Sequence, residues 1–222
     1  MRFSYAFWLL AAASVGLTVA AAFTHRLPGD LAIVHWIQKD QPVHWIKLCT
    51  DTVGWISPPL IVVFGAITGC LLLIRRRWIT AFALLTVLVA IAPVSTIKQL
   101  VGRPRPAADL VNVLTSSDSL SFPSGHVFLA TVIFGSMIYY ADRIIGPNRL
   151  FVALFRAVLI FITVDIGFSR LYKGVHWPSD VLGGYLLGSV GLWLMIWVYE
   201  RFIVSYLSKV LVRMKLASFA QE

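Results

Sequence analysis

The sequence predicts an all-α polytopic membrane protein, a bundle of six transmembrane helices forming one domain over residues 1–222. Three observations predict it. Hydrophobic residues make up 59% of the chain and charged residues 13%, against the ~25% charge of an average soluble domain. A soluble fold of this size could not hide so much apolar surface. The apolar residues fall into six stretches, each approaching the roughly 20 residues that cross a hydrocarbon core of about 30 Å. The few charges are lopsided, 19 Lys and Arg against 10 Asp and Glu for a formal +9, a balance expected of membrane loops facing anionic lipid. No nucleic-acid-binding module is recognisable, so no nucleic-acid partner is expected. Two cysteines, Cys49 and Cys70, exclude a disulfide scaffold and a four-cysteine zinc site.

The spans are expected at 3–23, 53–74, 78–97, 127–141, 151–168 and 181–199. The first three are full length. The fourth is short and uncharged, the fifth carries Arg156 and Asp165, and the sixth is uncharged. Ala20-Ala21-Ala22 resembles a signal-peptide cleavage site, but the stretch is long for one and Arg2 is its only n-region charge, so the first span reads as retained. Orientation follows from the cations. Arg2, Arg75, Arg76, Arg77, Arg143, Arg149, Arg156, Arg201, Lys209, Arg213 and Lys215 fall on one side. The other side has Arg26, Lys39, Lys47, Lys98, Arg103, Arg105, Arg170 and Lys173. The richer side is the cytoplasm by the positive-inside rule, so both termini face inward and the loops after spans one, three and five face outward. Residues 31–48, with His35-Trp36 and His44-Trp45 broken by Pro42, suit an interfacial aromatic belt. The tail over 201–215 alternates basic and apolar residues, as a helix on the inner surface would.

Polar residues at membrane depth are costly and so point to function. Here they gather at three places: Lys98 to Pro106, Phe122 to His126, and Ser169 to Asp180. Six-span topology brings all three to the outward face. Lys98, Arg105 and Arg170 supply positive charge and N–H donors, with Arg suited to bidentate oxyanion contacts. Ser124 and Gly125 stand where span four begins, with free backbone N–H groups and the positive end of the helix dipole. Gly125 has no Cβ and lets an anion approach the backbone. These features describe a phosphate pocket. His176 and Asp180 are spaced i, i+4 and would share a helix face, the carboxylate fixing the tautomer so that the other ring nitrogen can attack. His126, from a different span, can donate a proton. Nucleophile, orienting acid and general acid are what phosphate-ester cleavage needs.

Each motif also has a plainer reading. Pro-Ser-Gly alone is a common turn, and any one of these polar residues can be a helix cap or a snorkelling loop residue. His126, His176 and Asp180 could ligate a metal, but three nearby cations would repel a divalent ion and no second carboxylate is close in sequence, so no metal and no cofactor is expected. Asp165, outside the motifs, reads as a structural ion pair, with support of Arg170 as the alternative. Arg103 and Lys173 read as solvated loop charges, and the loop 107–121 as a shaper of access to the site.

Lys98-x6-Arg105-Pro106, Pro123-Ser124-Gly125-His126 and Ser169-Arg170-x5-His176-x3-Asp180 resemble the three-part signature of the type 2 phosphatidic acid phosphatase family, matched at every position. The resemblance implies a metal-independent mechanism through a phosphohistidine. His176 would be the nucleophile, Asp180 its orienting acid and His126 the general acid and base. Lys98, Arg105, Ser124, Gly125 and Arg170 would bind the phosphoryl oxygens. The family also includes soluble vanadium-dependent haloperoxidases, which six hydrophobic spans argue against. The expected substrate is a lipid phosphate such as phosphatidate or phosphatidylglycerophosphate, or an isoprenoid carrier diphosphate such as undecaprenyl diphosphate. The expected setting is a bacterial plasma membrane, with the site on its outer side and no obligate protein partner. An anionic-lipid transporter using the same basic pocket is the rival from another class, though transport needs no oriented nucleophile.

Overall fold

Helices make up every regular element of the computed structural model, which describes residues 4–39, 56–77, 80–81, 84–85, 92–115 and 119–204. In chain order they are α1 (Tyr5–Phe23), α2 (Asp30–Lys39), α3 (Pro58–Ile74), α4 (Ala92–Val101), α5 (Gly125–Tyr139), α6 (Ala141–Ile145), α7 (Arg149–Tyr172) and α8 (Pro178–Val198), which continues into a π turn at Tyr199–Val204.

Local chemistry sets the boundaries. Pro58 and Pro178 stand at the start of α3 and α8, where the missing N–H would have had no intrahelical partner. Asn148 caps α7, its side chain accepting from the Leu150 and Phe151 N–H groups at 3.0 and 3.2 Å. The fifth helix therefore starts two residues before the expected 151. It also runs on past 168 to Tyr172, so Arg170 lies in its last turn and not in a loop. The turn after it needs glycine at 174: φ there is +66°, and a Cβ would lie 2.2 Å from the Asn112 carbonyl oxygen.

α5 is the hub. Val127 to Ala130, Val132 to Phe134 and Met137 are all buried, leaving the helix almost no lipid-facing stripe. Its most extensive partner is α8. That approach depends on small residues: a Cβ on Gly184 would lie 2.9 Å from the Ser124 carbonyl oxygen, and one on Gly188 2.8 Å from Thr131 Cβ. Backbones that close gain dispersion contacts, which hold helices together where lipid removes the hydrophobic drive. α7 and α3 pack on other sides of α5, and α1 packs on α8, with Phe7 and Trp193 in ring contact at 5.8 Å.

Three helical stretches, Tyr5–Phe23, Arg149–Tyr172 and Pro178–Phe202, are long and apolar enough to cross a membrane, while Pro58–Ile74 and Gly125–Tyr139 are apolar but shorter. Their outward faces stay apolar, as at Leu9, Val15, Leu60, Phe64, Val158 and Phe161. The chain is an integral membrane protein. Half of the expected third span, 78–97, lies outside the described residues, as do the surface tail beyond 204 and the second half of the 31–48 belt. The first half of that belt is α2, whose Trp36 is exposed and whose His35 ring nitrogen Nε2 lies 2.7 Å from the Leu110 carbonyl oxygen.

Candidate active site

Four pieces of backbone meet at one end of α5. The first comes after α4. Lys98 stands on the last turn of that helix, and the chain leaves it as Arg103-Pro104-Arg105-Pro106. Each proline pushes the arginine before it into extended backbone, where residues two apart project to the same side. Both guanidinium groups consequently reach the same His–Asp pair. Arg103 Nη1 donates to Asp180 Oδ1 at 2.7 Å, and Arg105 Nη1 lies 3.4 Å from His176 Nε2. Arg105 is steadied by the carbonyls of Val175 and Ser119, both at 2.6 Å, and by the Ser119 hydroxyl at 2.8 Å.

The second piece is Ser121 to His126. The Ser121 N–H bonds back to the Arg103 carbonyl at 2.8 Å, and its hydroxyl donates a short hydrogen bond to Asp180 Oδ2. Lys98 Nζ donates to the Leu120 carbonyl and, at 3.4 Å, to that of Ser121. Ser124 is the N-cap residue of α5, yet its side chain makes no capping bond. Its Oγ is buried and has no hydrogen-bond partner among the described residues. A hydroxyl in that condition is poised for an oxygen brought by a ligand. Nothing among the described residues demands glycine at 125. A Cβ there would make ordinary contact, 3.8 Å from Val94 and 3.9 Å from Lys98 Cε, so any requirement for glycine comes from what binds beside Lys98.

The third and fourth pieces are the end of α7 and the start of α8. Arg170 Nη1 lies 3.2 Å from His126 Nε2, joining the last motif to the second. His176 and Asp180 do come together, with Nδ1 3.5 Å from Oδ2, but not as neighbours on one helix face. His176 precedes the N-cap residue Trp177, and Asp180 is the third residue of α8, bent back to accept the Trp177 N–H at 2.8 Å. Helix capping, not helical periodicity, sets their proximity.

Partner chemistry fixes the tautomer. A guanidinium group only donates, so His176 Nε2 faces Arg105 as a lone pair, and Nδ1 carries the proton toward Asp180. Burial brings the His176 pKa down to about 4; Asp180 opposes the shift, and Arg105 and Lys98 add to it. The ring is neutral at pH 7. Lys98 is drawn down to about 8, first by burial and then by the charge of Arg105. Arg105 is lowered mainly by burial as well. The site gathers, at one end of α5, a neutral imidazole nitrogen, three cations and a hydroxyl that has no partner among the described residues. Among the described residues, no three His, Cys, Asp or Glu side chains are grouped to hold a metal ion.

The expectations for Arg103 and Asp165 change. Arg103 is not a solvated loop charge: it is 1% exposed and bridges Asp30 and Asp180 at 2.9 and 2.7 Å. A buried guanidinium is tolerable only with such partners. Asp165 has no ion pair among the described residues, and its buried Oδ2 has no hydrogen-bond partner. It does not reach Arg170. The residues missed were Asp30, Ser121 and Ser179. For Asp30 and Ser179 the sequence carried no local signal, because they meet across 149 positions.

A family model described as the PAP2 superfamily matches residues 78–203, more than half of the chain. The chain is similar to phosphatidylglycerophosphatase B of Bacillus subtilis, 32% identical over 133 residues covering 59% of this chain and 61% of that protein. It is also similar to decaprenylphosphoryl-5-phosphoribose phosphatase of Mycobacterium tuberculosis, 34% identical over 178 residues covering 79% and 84%. Among crystal structures it resembles a transmembrane PAP2-type phosphatidylglycerolphosphate phosphatase from Bacillus subtilis, with a TM-score of 0.73 at 25% identity over 90% of this chain and 98% of that one.

Proposed function

The chain belongs to the PAP2 superfamily, and from that premise we propose that it hydrolyses the phosphate or diphosphate group of a membrane lipid through a covalent phosphohistidine. One observation carries the reading: His176 Nε2 is held as a lone pair beside Arg105, with Nδ1 directed at Asp180. Binding alone needs no such tautomer. A nucleophile does.

In the first step the Nε2 lone pair attacks phosphorus, the bond from phosphorus to the lipid oxygen breaks, and His126 gives that oxygen a proton. The imidazolium charge that develops on His176 is met by Asp180. In the second step His126 takes a proton from water, the water oxygen attacks phosphorus, the N–P bond breaks, and inorganic phosphate leaves. To deliver the first proton, His126 Nε2 must carry one, although it accepts from Arg170 at 3.2 Å. A phosphate dianion between the two side chains draws the guanidinium to itself and favours the protonated ring. Lys98, Arg105, Arg170, the Ser124 hydroxyl and the first N–H groups of α5 at Gly125 hold the phosphoryl oxygens. Such donors stabilise the transition state with little reorganisation.

The lipid phosphates named by the relatives bring phosphatidylglycerophosphate to the front as substrate class, with phosphatidate and an isoprenoid diphosphate such as undecaprenyl diphosphate as alternatives. The chain crosses a bacterial plasma membrane six times with both termini in the cytoplasm, and the lipid enters from the outer leaflet. It needs no metal and no protein partner. A panel of these lipids, assayed in detergent with chelator present, tests the reading. Phosphate release is expected from at least one, and His176→Ala should abolish it. No release, or release that depends on added divalent metal, would sink the mechanism. Cysteines placed in 107–121 should label from outside the cell, and labelling only from the cytoplasm would reverse the orientation.

A further inference from the structure

Both oxygens of Asp180 are held, one on the side away from His176 and one on the side facing it. Its Oδ1 receives Arg103 Nη1 at 2.7 Å, while its Oδ2 receives the Trp177 N–H, the Ser121 hydroxyl and the approach of His176. Arg103 is itself fixed from three further directions. Its Nη2 donates to Asp30 Oδ2 at 2.9 Å, its Nη1 also to Ser179 Oγ at 2.7 Å, and its Nε to the His25 carbonyl at 3.2 Å. Asp30 in turn accepts the Ser179 N–H and hydroxyl and the Leu27 N–H, at 2.9, 2.7 and 2.7 Å. All the charged members are buried: Asp30 is 3% exposed, Arg103 1% and Asp180 0%.

We propose that Arg103, anchored by Asp30, is a positioning residue for the reaction, assigning one oxygen of Asp180 to the scaffold and the other to His176. This role rests on the hydrolytic reading of the site, and two reasons support it. The first is geometric. A carboxylate on a short stem rotates about its Cβ–Cγ bond unless both oxygens are held, and a rotated Asp180 would leave the weak 3.4 Å contact of Arg105 as the sole control on the His176 tautomer. Arg103 holds Oδ1 and stops that rotation. The second reason is charge. Arg103 alone would cancel the negative charge that meets the developing imidazolium. Asp30 balances Arg103, leaving the group of three with a net −1 beside His176. A lone arginine would hold Asp180 in place but weaken it, and the pair avoids that. Among the described residues, the remaining charged and titratable groups facing His176 are Arg105, in contact, and Lys98 and His126, within electrostatic range. Asp30 opens α2, so this outer helix carries part of the alignment of the catalytic acid.

The test uses the charge-balanced double variant Asp30→Asn/Arg103→Met in the full-length protein in detergent, beside wild type, Arg103→Lys and His176→Ala. Removing two opposite buried charges together keeps the net charge of the group at −1, and Asp180 retains the Trp177 N–H and the Ser121 hydroxyl, so the double variant is expected to fold, as thermal unfolding will report. Its kcat should fall between about 10- and 1,000-fold with KM within threefold, less than the ~10⁴ lost when the orienting acid itself is replaced. Arg103→Lys, which keeps the charge, should recover part of that loss. Histidine ¹⁵N NMR should show His176 protonated only on Nδ1 in wild type and as a mixture of tautomers in the double variant. Wild-type turnover with Nδ1–H retained in the double variant would overturn the proposal. The tautomer readout needs no substrate. A wild-type protein without phosphatase activity, or an active His176→Ala, would therefore count against the hydrolytic reading and leave the positioning role to be decided by NMR.

Discussion

Replacing Asp180 by Asn changes one atom and removes one charge, and the surrounding hydrogen bonds determine the consequences. The carboxylate takes Arg103 at 2.7 Å on Oδ1, and on Oδ2 the Trp177 N–H at 2.8 Å, the Ser121 hydroxyl and the His176 Nδ1 side at 3.5 Å. An amide has one acceptor oxygen for these groups. If it faces Arg103, the NH2 group faces Trp177 and His176. The Trp177 N–H is then orphaned, and His176 is pressed into the tautomer with its proton on Nε2, against Arg105. If the oxygen faces His176, the NH2 group meets the Arg103 guanidinium, donor against donor. Either orientation forfeits one buried hydrogen bond, about 1–3 kcal/mol. A domain with roughly 5–15 kcal/mol of stability still folds.

The larger effect is on turnover. Loss of the correct tautomer and of the charge opposite the imidazolium amounts to ~10⁴ in kcat in a serine-protease triad, and at 1.36 kcal/mol per decade that is about 5.4 kcal/mol of barrier. The cations proposed to bind phosphate are not touched, and a nearby negative charge is removed, so KM should stay level or fall slightly. Initial rates on the best lipid of the panel, over a range of substrate concentrations, separate the two parameters. A kcat within tenfold of wild type would refute the orienting role. A raised KM at unchanged kcat would instead place Asp180 among the groups that shape the binding pocket.

Three further outcomes are expected. Ser124→Ala removes a buried hydroxyl that has no partner among the described residues, so unfolding should move by less than about 0.5 kcal/mol while KM rises roughly tenfold, one 1.4 kcal/mol step; a lost Tm with KM unchanged would make the hydroxyl structural. The profile of kcat/KM against pH, corrected for the substrate's own ionisation near ~6, reports the free enzyme. It should rise through about pH 4 as His176 loses its proton and fall through about pH 8 as Lys98 loses its charge. Both groups are depressed by burial, which disfavours the charged form, and an alkaline limb near the ordinary lysine value would contradict the burial of Lys98. Gly188→Leu must push α8 off α5, because its Cβ would lie 2.8 Å from Thr131 Cβ, whereas at Gly191 the nearest atom is 3.8 Å away. The first should lose Tm and activity together at about 1–3 kcal/mol, and Gly191→Ala should be near neutral; equal effects at both would remove the case for close packing at Gly188.

How much of this was legible beforehand depended on how far apart the interacting residues lie in sequence. Lys98, Arg105, Ser124, His126, Arg170, His176 and Asp180 stood out because a polar residue in an apolar chain is conspicuous, and the structure brings them to one place. Their surroundings were less readable. Asp30, Arg103 and Ser179 looked like ordinary loop residues, because burial is a property of the assembled bundle and their contacts cross 73 to 149 positions. A hint was present in Arg103-Pro104-Arg105-Pro106, where alternate prolines set both arginines on one side, but nothing local named the partners of Arg103. The His176–Asp180 spacing pointed to a true contact for the wrong reason, since the chain reverses at Trp177 and the contact comes from a cap. Helix ends erred in the usual manner: Asn148 is a strong cap and moved the start of α7 earlier, while the run of apolar residues said nothing of the polar last turn that carries Arg170.

The charges around His176 are sorted by side. Asp30 and Asp180, with Arg103 between them, lie toward Nδ1 and sum to a single negative charge. Arg105 meets Nε2 directly, and Lys98 also acts on the ring. An imidazole set between a negative and a positive region is polarised along its own N–N axis, and an anion can approach only from the Nε2 side. The two regions are unequally compensated. The carboxylates have Arg103, the Ser121 hydroxyl and backbone N–H groups. Lys98 and Arg105 donate to neutral carbonyls and the Ser119 hydroxyl, and the charge of Arg105 loosens the hold of Lys98 on its proton. A phosphate dianion would strengthen the hold of Lys98 on its proton and occupy the face from which Nε2 can attack. Burial draws the ammonium down to about 8 and the charge of Arg105 adds to the shift, and it is this second contribution that a bound dianion relieves. In the proposed mechanism, affinity for phosphate and the orientation of the nucleophile have one origin, the separation of charge across a single buried ring.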